Sequence, residues 1–411
     1  MSKIEMLRRI AEERGTPCFV YFMDDVYARI DSVREAFEGL FDVSYAMKCN
    51  PHPAILKRLQ SRVDTLDISS GGELAAAVAM GWPTELISFT GPAKRRTELQ
   101  AAVDHRIGEL ILESVNEAEQ LDEIAAAAGI TQAVCVRIAP ANVPKGFGVK
   151  MSGKPCQFGV DEEVLDDALV RIQSLAHLRL VGLHIYSGTQ CLKPQAIAEN
   201  YENFVAIFRR ACETHDISPS KLIFGSGIGI PYHDKDEPVD LAPIAERINP
   251  VLRDLKSEPR FANAQLLLET GRYLIGEAGI YLTRVVNKKH SRGSDICVFD
   301  GGMNHHLGAC GHLGMMLHRN YRMMKVSLDE AGAEEQPYDL FGPLCTSIDT
   351  LGRGVKFRGL DTGDVIGVHC SGAYGVTASP LNFISHDPPR ELVVETSGGE
   401  VVVNDITGQG R

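Results

Sequence analysis

Short apolar runs of strand length alternate with longer helical patterns between about residues 40 and 275. The runs fall at 43–47, 65–69, 86–90, 110–113, 134–138, 180–186, 222–224 and 266–269. Stretches between them, such as 74–80, 117–128, 162–175 and 196–212, are rich in Ala, Glu and Leu at helical spacing. A strand that hands over to a helix and returns must pair in parallel with its predecessor, so eight such units predict an α/β fold of the (β/α)8 type, the TIM barrel. A doubly wound open sheet is the alternative with the same pattern. Beyond residue 276 the texture changes to β-branched runs at 280–286, 295–299, 363–369 and 391–394, with Gly398-Gly399 as a turn before 401–403. That is the pattern of an all-β domain. The segment 16–22 is also strand-like and is expected to join that sheet, which gives a barrel at 26–275 and a β-rich domain from 1–25 and 276–411.

Composition narrows the picture without changing it. Hydrophobic residues at 44% and charged residues at 23% describe a globular chain rather than a disordered or fibrous one. A formal charge of −12 counts against a general binder of nucleic acid or anionic membrane, since both need a positive field, and leaves a small molecule as the expected partner. No run approaches the roughly 18 apolar residues of a membrane span. The start, Met1 to Arg9, is charged and amphipathic and lacks the apolar core of a signal peptide, so the reading is cytoplasmic. Ten cysteines are spread without paired zinc spacing, as expected of reduced thiols.

Chemistry enters at the strand ends, where barrels of this kind gather their reacting groups. Lys48 follows the first run, Asp67 to Glu73 the second; Arg137 lies in the fifth, and His184-Ile185-Tyr186-Ser187 closes the sixth. The seventh runs into Gly225-Ser226-Gly227-Ile228-Gly229, and the eighth ends in Glu269-Thr270-Gly271-Arg272. A lysine so placed is competent for a Schiff base, although a solvated surface lysine has the same local pattern. The glycine run suits a plain tight turn and equally a phosphate cradle, because backbone without side chains lets several N–H groups face one anion. Ser226 would add a hydroxyl and Arg272 a charge-assisted bond. Glu269 reads either as an ion-pair partner of Arg272 or as the carboxylate that keeps a pyridine nitrogen protonated, making the ring of pyridoxal phosphate a strong electron sink suited to loss of CO2. His184 reads either as a satisfied core histidine or as a flat ring against that cofactor, with Ser187 near its phosphate. His305, His306, Cys310 and His312 match no standard zinc spacing and follow the turn Gly301-Gly302, so no metal is expected.

Taken in order, Tyr45-Ala46-Met47-Lys48, His184 with Ser187, Gly225 to Gly229, Glu269-Thr270-Gly271-Arg272, Gly342-Pro343-Leu344-Cys345 and Gly372-Ala373-Tyr374 resemble the ornithine/diaminopimelate decarboxylase family. These are fold-type III pyridoxal phosphate enzymes with an alanine racemase-like barrel, and the resemblance covers nearly the whole chain. It implies that Lys48 carries the cofactor, that Glu269 pairs with the pyridinium, and that Ser187, Gly225, Ser226, Gly227, Gly271 and Arg272 hold phosphate. Asp67, Arg137, His184 and Tyr374 would complete the cofactor site. It also implies a head-to-tail homodimer in which Cys345 reaches the partner's site and protonates Cα after CO2 leaves.

Three departures from the family pattern bear on the substrate. Tyr186 stands where a glycine often precedes the serine, and Thr270 replaces the proline of Glu-Pro-Gly-Arg. Thr346 follows Cys345 where ornithine- and diaminopimelate-type enzymes have an acidic residue for the distal amine. A neutral hydroxyl cannot supply that ion pair. The expected substrate is therefore a modified or carrier-linked amino acid, of the glutamyl-acyl-carrier-protein or citryl-diaminopropionate type. Thr346, Tyr186 and Arg319 are the candidate substrate residues, although Arg319 also suits a plain surface position. An acyl carrier protein is then a candidate partner, and Lys288-Lys289-His290 with Arg292 is the nearest basic patch. The competing functions are a diaminopimelate or ornithine/lysine-type decarboxylase of free amino acids, a racemase, a non-catalytic regulatory homologue, which would be expected to lose Lys48 or Cys345, and a barrel lyase or hydrolase without the cofactor.

Overall fold

Each of the eight apolar runs becomes a parallel strand in the computed structural model, which describes residues 1–312, 319–329 and 332–408. The strands are Asp42–Ala46, Thr65–Ile68, Ile87–Phe89, Glu109–Leu112, Gln132–Ala139, Leu178–Ile185, Lys221–Gly225 and Gln265–Thr270. Each pairs with the next, and the eighth pairs with the first, so the sheet closes into a (β/α)8 barrel and the open-sheet alternative falls. Closure follows from burial: Ile111, Ala133, Cys135, Val181, Ile223 and Leu267, from five of the strands, form one apolar cluster that an open edge would expose. The helices start where the sequence supplies caps. Ser70 and Ser114 accept the backbone N–H of Glu73 and Glu117, each at 3.2 Å, and open Gly71–Ala79 and Val115–Ala128.

The chain divides into two units, Arg29–Gly229 with Pro238–Gly271, and Met1–Ala28 with Ile230–Glu237 and Arg272–Arg411. The first holds the barrel. The second is built on a nine-stranded sheet in which Cys18–Phe22 lies antiparallel to Gly279–Ser291 and parallel to Arg390–Ser397, as the strand-like segment 16–22 led us to expect. The helix Lys3–Arg14, capped by Ser2, lays Met6, Leu7, Ile10 and Ala11 against Cys18, Val20, Leu282 and Leu392. Three strands of this sheet, Met323–Lys325, Glu335–Phe341 and Thr350–Arg358, escape sequence reading. The last two have alternating or largely exposed positions and carry Pro337, Gly352 and Gly354, and Thr350–Arg358 lies at one end of the sheet, where such residues are tolerated.

Candidate active site

The first barrel strand ends in a tight 3-10 turn, Met47–Cys49, that brings Lys48 out at the C-terminal mouth. Its Nζ lies 3.2 Å from Asp67 Oδ2 at the end of the second strand and 3.6 Å from Glu269 Oε1 at the end of the eighth. Glu269 Oε2 is in turn 2.9 Å from His184 Nε2 at the end of the sixth strand. Both carboxylates and the imidazole are buried, whereas the Lys48 side chain keeps 37% of its exposure, so it is the group of this cluster that a solute can reach. Burial alone would raise the Glu269 carboxyl, but Lys48, the His184 hydrogen bond and Arg137 outweigh it and hold the group down at about 2. Asp67 goes the other way: burial and then the charge of Glu269 push it up to about 6, against Lys48 and the Thr90 hydroxyl, which donates to Oδ1 at 2.5 Å. The result is one firmly ionised carboxylate and one poised acid around a single amine.

Arg137 is buried and paired with Glu113 at 2.8 Å, its guanidinium 4.6 Å from the Phe158 ring centroid and 6.0 Å from that of Tyr186. Glu113 also accepts from the N–H of Gly159 at 2.7 Å, so the pair ties the fourth and fifth strands to the loop beyond them. Tyr186 packs against Gly225, where a Cβ would stand 2.1 Å from its ring, so a larger residue there would have to displace the tyrosine. Gly227 has φ +64°, and a Cβ there would also meet Phe147 at 2.6 Å. Ser226 donates its N–H to the Glu269 carbonyl at 2.9 Å, which fixes the glycine loop to the eighth strand. Gly271 backs onto Cys49, one residue from the lysine. Ser187 is buried, and its hydroxyl donates to Asn200 Oδ1 at 2.8 Å.

The other expected residues lie in the β-rich unit. There Arg272 Nη1 donates to the Tyr232 hydroxyl, and the guanidinium stacks 4.6 Å from the Tyr374 ring centroid and 5.6 Å from that of Tyr232. Cys345 is exposed on the loop between Glu335–Phe341 and Thr350–Arg358. Asp349 shapes that loop: its carboxylate accepts from the N–H groups of Leu344 at 2.9 Å and Met303 at 2.7 Å, and its carbonyl from Gly342 at 3.1 Å. Thr346 follows, its N–H bonded to the Leu344 carbonyl at 2.8 Å. Arg319 donates to Asp236 at 3.1 Å and keeps half its side chain in solvent. His305, His306, Cys310 and His312 take separate partners: the Asp387 carbonyl, the Ser371 hydroxyl, Asp349 and the Ile348 carbonyl. Sequence reasoning missed Thr90, Glu113, Asn200, Tyr232 and Asp349, all of which act on an expected residue through a contact distant in sequence or unmarked by spacing. Only Asp349, four positions past Cys345 in a Gly-Pro loop, carried a local signal.

The barrel residues have the chemistry that pyridoxal phosphate requires: an accessible amine for its aldehyde, an ionised buried carboxylate for its ring nitrogen, and an imidazole whose buried Nδ1 finds no partner among the described residues. Residues 23–276 match the family model described as pyridoxal-dependent decarboxylase, pyridoxal binding domain. The chain belongs to the pyridoxal-dependent decarboxylases. It is 33% identical to the L-glutamyl-[BtrI acyl-carrier protein] decarboxylase of Niallia circulans, over 94% of this chain and 90% of that protein. It is 29% identical to the diaminopimelate decarboxylase of Bacillus subtilis, over 95% and 89% of the two chains. Among solved structures, the diaminopimelate decarboxylase of M. jannaschii in complex with L-lysine superposes with a TM-score of 0.85 at 26% identity, covering 97% of this chain and 91% of that one. This decarboxylase is thus a carboxy-lyase of amino acids that works with pyridoxal phosphate, as the strand-end residues imply. No helix among the described residues is long and apolar enough to cross a membrane.

Proposed function

We propose that this decarboxylase removes the α-carboxyl group of an amino acid whose far end is acylated or carrier-linked, of the kind represented by a glutamyl unit on an acyl carrier protein. The observation that carries this reading is Thr346. It follows the exposed Cys345 on a loop held by Asp349, and the family resemblance puts there the acidic residue that pairs with the distal ammonium of a free diamino acid. The similarity to a decarboxylase named for a glutamyl carrier protein supports the same reading.

When bound, pyridoxal phosphate supplies the conjugated ring that takes up the electron pair left at Cα as CO2 departs. Lys48 is the amine that holds it, kept at the barrel mouth by two carboxylates. Glu269, ionised at any physiological pH, is the fixed negative charge for a protonated ring nitrogen, and His184 orients that carboxylate through its 2.9 Å bond. Ser187, Ser226 and the backbone at Gly225, Gly227 and Gly271 would hold the cofactor's phosphate, and the family resemblance adds Arg272 to that set and Tyr374 to the cofactor's surroundings. Asp67 holds Lys48 from the second strand, and Arg137 adds positive charge that lowers Glu269. Cys345 delivers a proton from Sγ to Cα in a site completed by a second copy of the chain. Tyr186 and Arg319 are each candidate substrate residues, and Lys288-Lys289-His290 with Arg292 is the candidate docking patch for an acidic carrier.

The test is release of labelled CO2 from the α-carboxyl of L-glutamyl carrier protein, citryl-diaminopropionate, meso-diaminopimelate, ornithine and lysine. A kcat/KM at least about tenfold higher for the acylated or carrier-linked substrates is expected from the missing ion-pair partner. Faster release from any free diamino acid contradicts the reading.

A further inference from the structure

Ser187 and Asn200 form a buried pair with a hydrogen-bonding imbalance. Both are 1% exposed, and the Ser187 hydroxyl donates its only proton to Asn200 Oδ1 at 2.8 Å. That leaves Asn200 Nδ2, on the helix Pro194–Thr214, buried without an acceptor among the described residues. A hydroxyl whose proton is committed inward can accept but cannot donate, and an anion needs donors. Turning the Asn200 amide over lets Nδ2 donate to Ser187 Oγ and releases the Ser187 proton to a ligand, with Oδ1 taking the unpartnered place of Nδ2. The same helix fixes the neighbouring loop, since the Tyr201 hydroxyl donates to the Ser226 carbonyl at 2.7 Å. One helical turn therefore serves the ends of both the sixth and seventh strands.

We infer that Asn200 is a positioning residue that sets the direction of the Ser187 hydroxyl, and so decides how strongly the site holds the phosphate of its cofactor. This rests on the reading of Ser187 as a phosphate contact, and the experiment separates the two. Affinities for pyridoxal phosphate and for pyridoxal, which lacks the phosphate, are measured by absorbance titration in wild type, Ser187→Ala, Asn200→Asp, Asn200→Ala and the Ser187→Ala/Asn200→Asp double variant. Aspartate has nearly the shape of asparagine but only accepts, so it holds the Ser187 proton inward; alanine lets it go. Asn200→Asp is expected to weaken pyridoxal phosphate by about tenfold while pyridoxal binding, which also reports an intact fold, changes little. Asn200→Ala should be milder, the reverse of what loss of packing volume would give. In the Ser187→Ala background Asn200→Asp should cost nothing further. If Ser187→Ala leaves the ratio of the two affinities unchanged, the phosphate reading of Ser187 falls and the inference with it. If Ser187→Ala lowers the ratio but Asn200→Asp does not, or Asn200→Asp lowers it as much without Ser187, the inference alone is overturned.

Discussion

A single amine between two carboxylates of opposite tendency explains much of what this site can do. Glu269 is held near 2 because three positive or donating groups outweigh its burial, and Asp67 is lifted to about 6 because burial and then the charge of Glu269 outweigh the pull of Lys48. The consequence for stability has a definite sign. A carboxyl whose pKa is higher in the folded state binds its proton more tightly there, so Asp67 favours folding at acid pH, and that contribution is lost as pH rises through about 6. Glu269, with its lowered pKa, contributes above its ordinary range and loses that only as pH falls towards 2, outside the window of interest. In cofactor-free protein Asp67→Asn should therefore gain stability relative to wild type between about pH 4 and pH 7.5, read from denaturant midpoints at each pH. A difference that stays constant across that range would mean Asp67 is not the lifted group.

At the level of elements, the barrel was legible because its strands are continuous apolar runs, buried on both faces and separated by helices with serine caps. The strand-end positions of Lys48, His184 and Glu269 follow from the same pattern, because each closes an apolar run, although each also has an ordinary structural reading in the sequence. What stayed hidden depends on contacts that the chain order does not display. The edge strand Thr350–Arg358 reads as a loop because half of it faces solvent, and Asn200 and Tyr232 look like any polar residue of a helix or turn. Asp349 shows what such a residue can control. Its carboxylate closes the loop that presents Cys345, so Asp349→Ala should lower kcat by about 100-fold through a misplaced proton donor while leaving cofactor affinity within about twofold. Rapid-quench rates and cofactor titration of the variant check this. A parallel loss of cofactor affinity would assign Asp349 to the general integrity of the unit instead.

Seen as a whole, the molecule divides its labour between a barrel unit with the amine, the carboxylates and the glycine loop, and a β-rich unit with Arg272, Tyr374, Cys345 and Thr346. The segment Ile230–Glu237 leaves the barrel sequence to join the β-rich unit and brings Tyr232 to Arg272. No periodicity announces that excursion, because the segment contains neither helix nor strand. The acidic overall charge counts against work at an anionic surface. Every role assigned to these residues depends on Lys48 being the amine that holds the cofactor. The direct test is borohydride reduction of protein loaded with pyridoxal phosphate, followed by peptide mapping of the phosphopyridoxyl label. The label is expected on the peptide containing Tyr45 to Asn50, at Lys48, and absent from Lys48→Ala protein. A label on any other lysine, or none on protein supplied with the cofactor, would contradict the account.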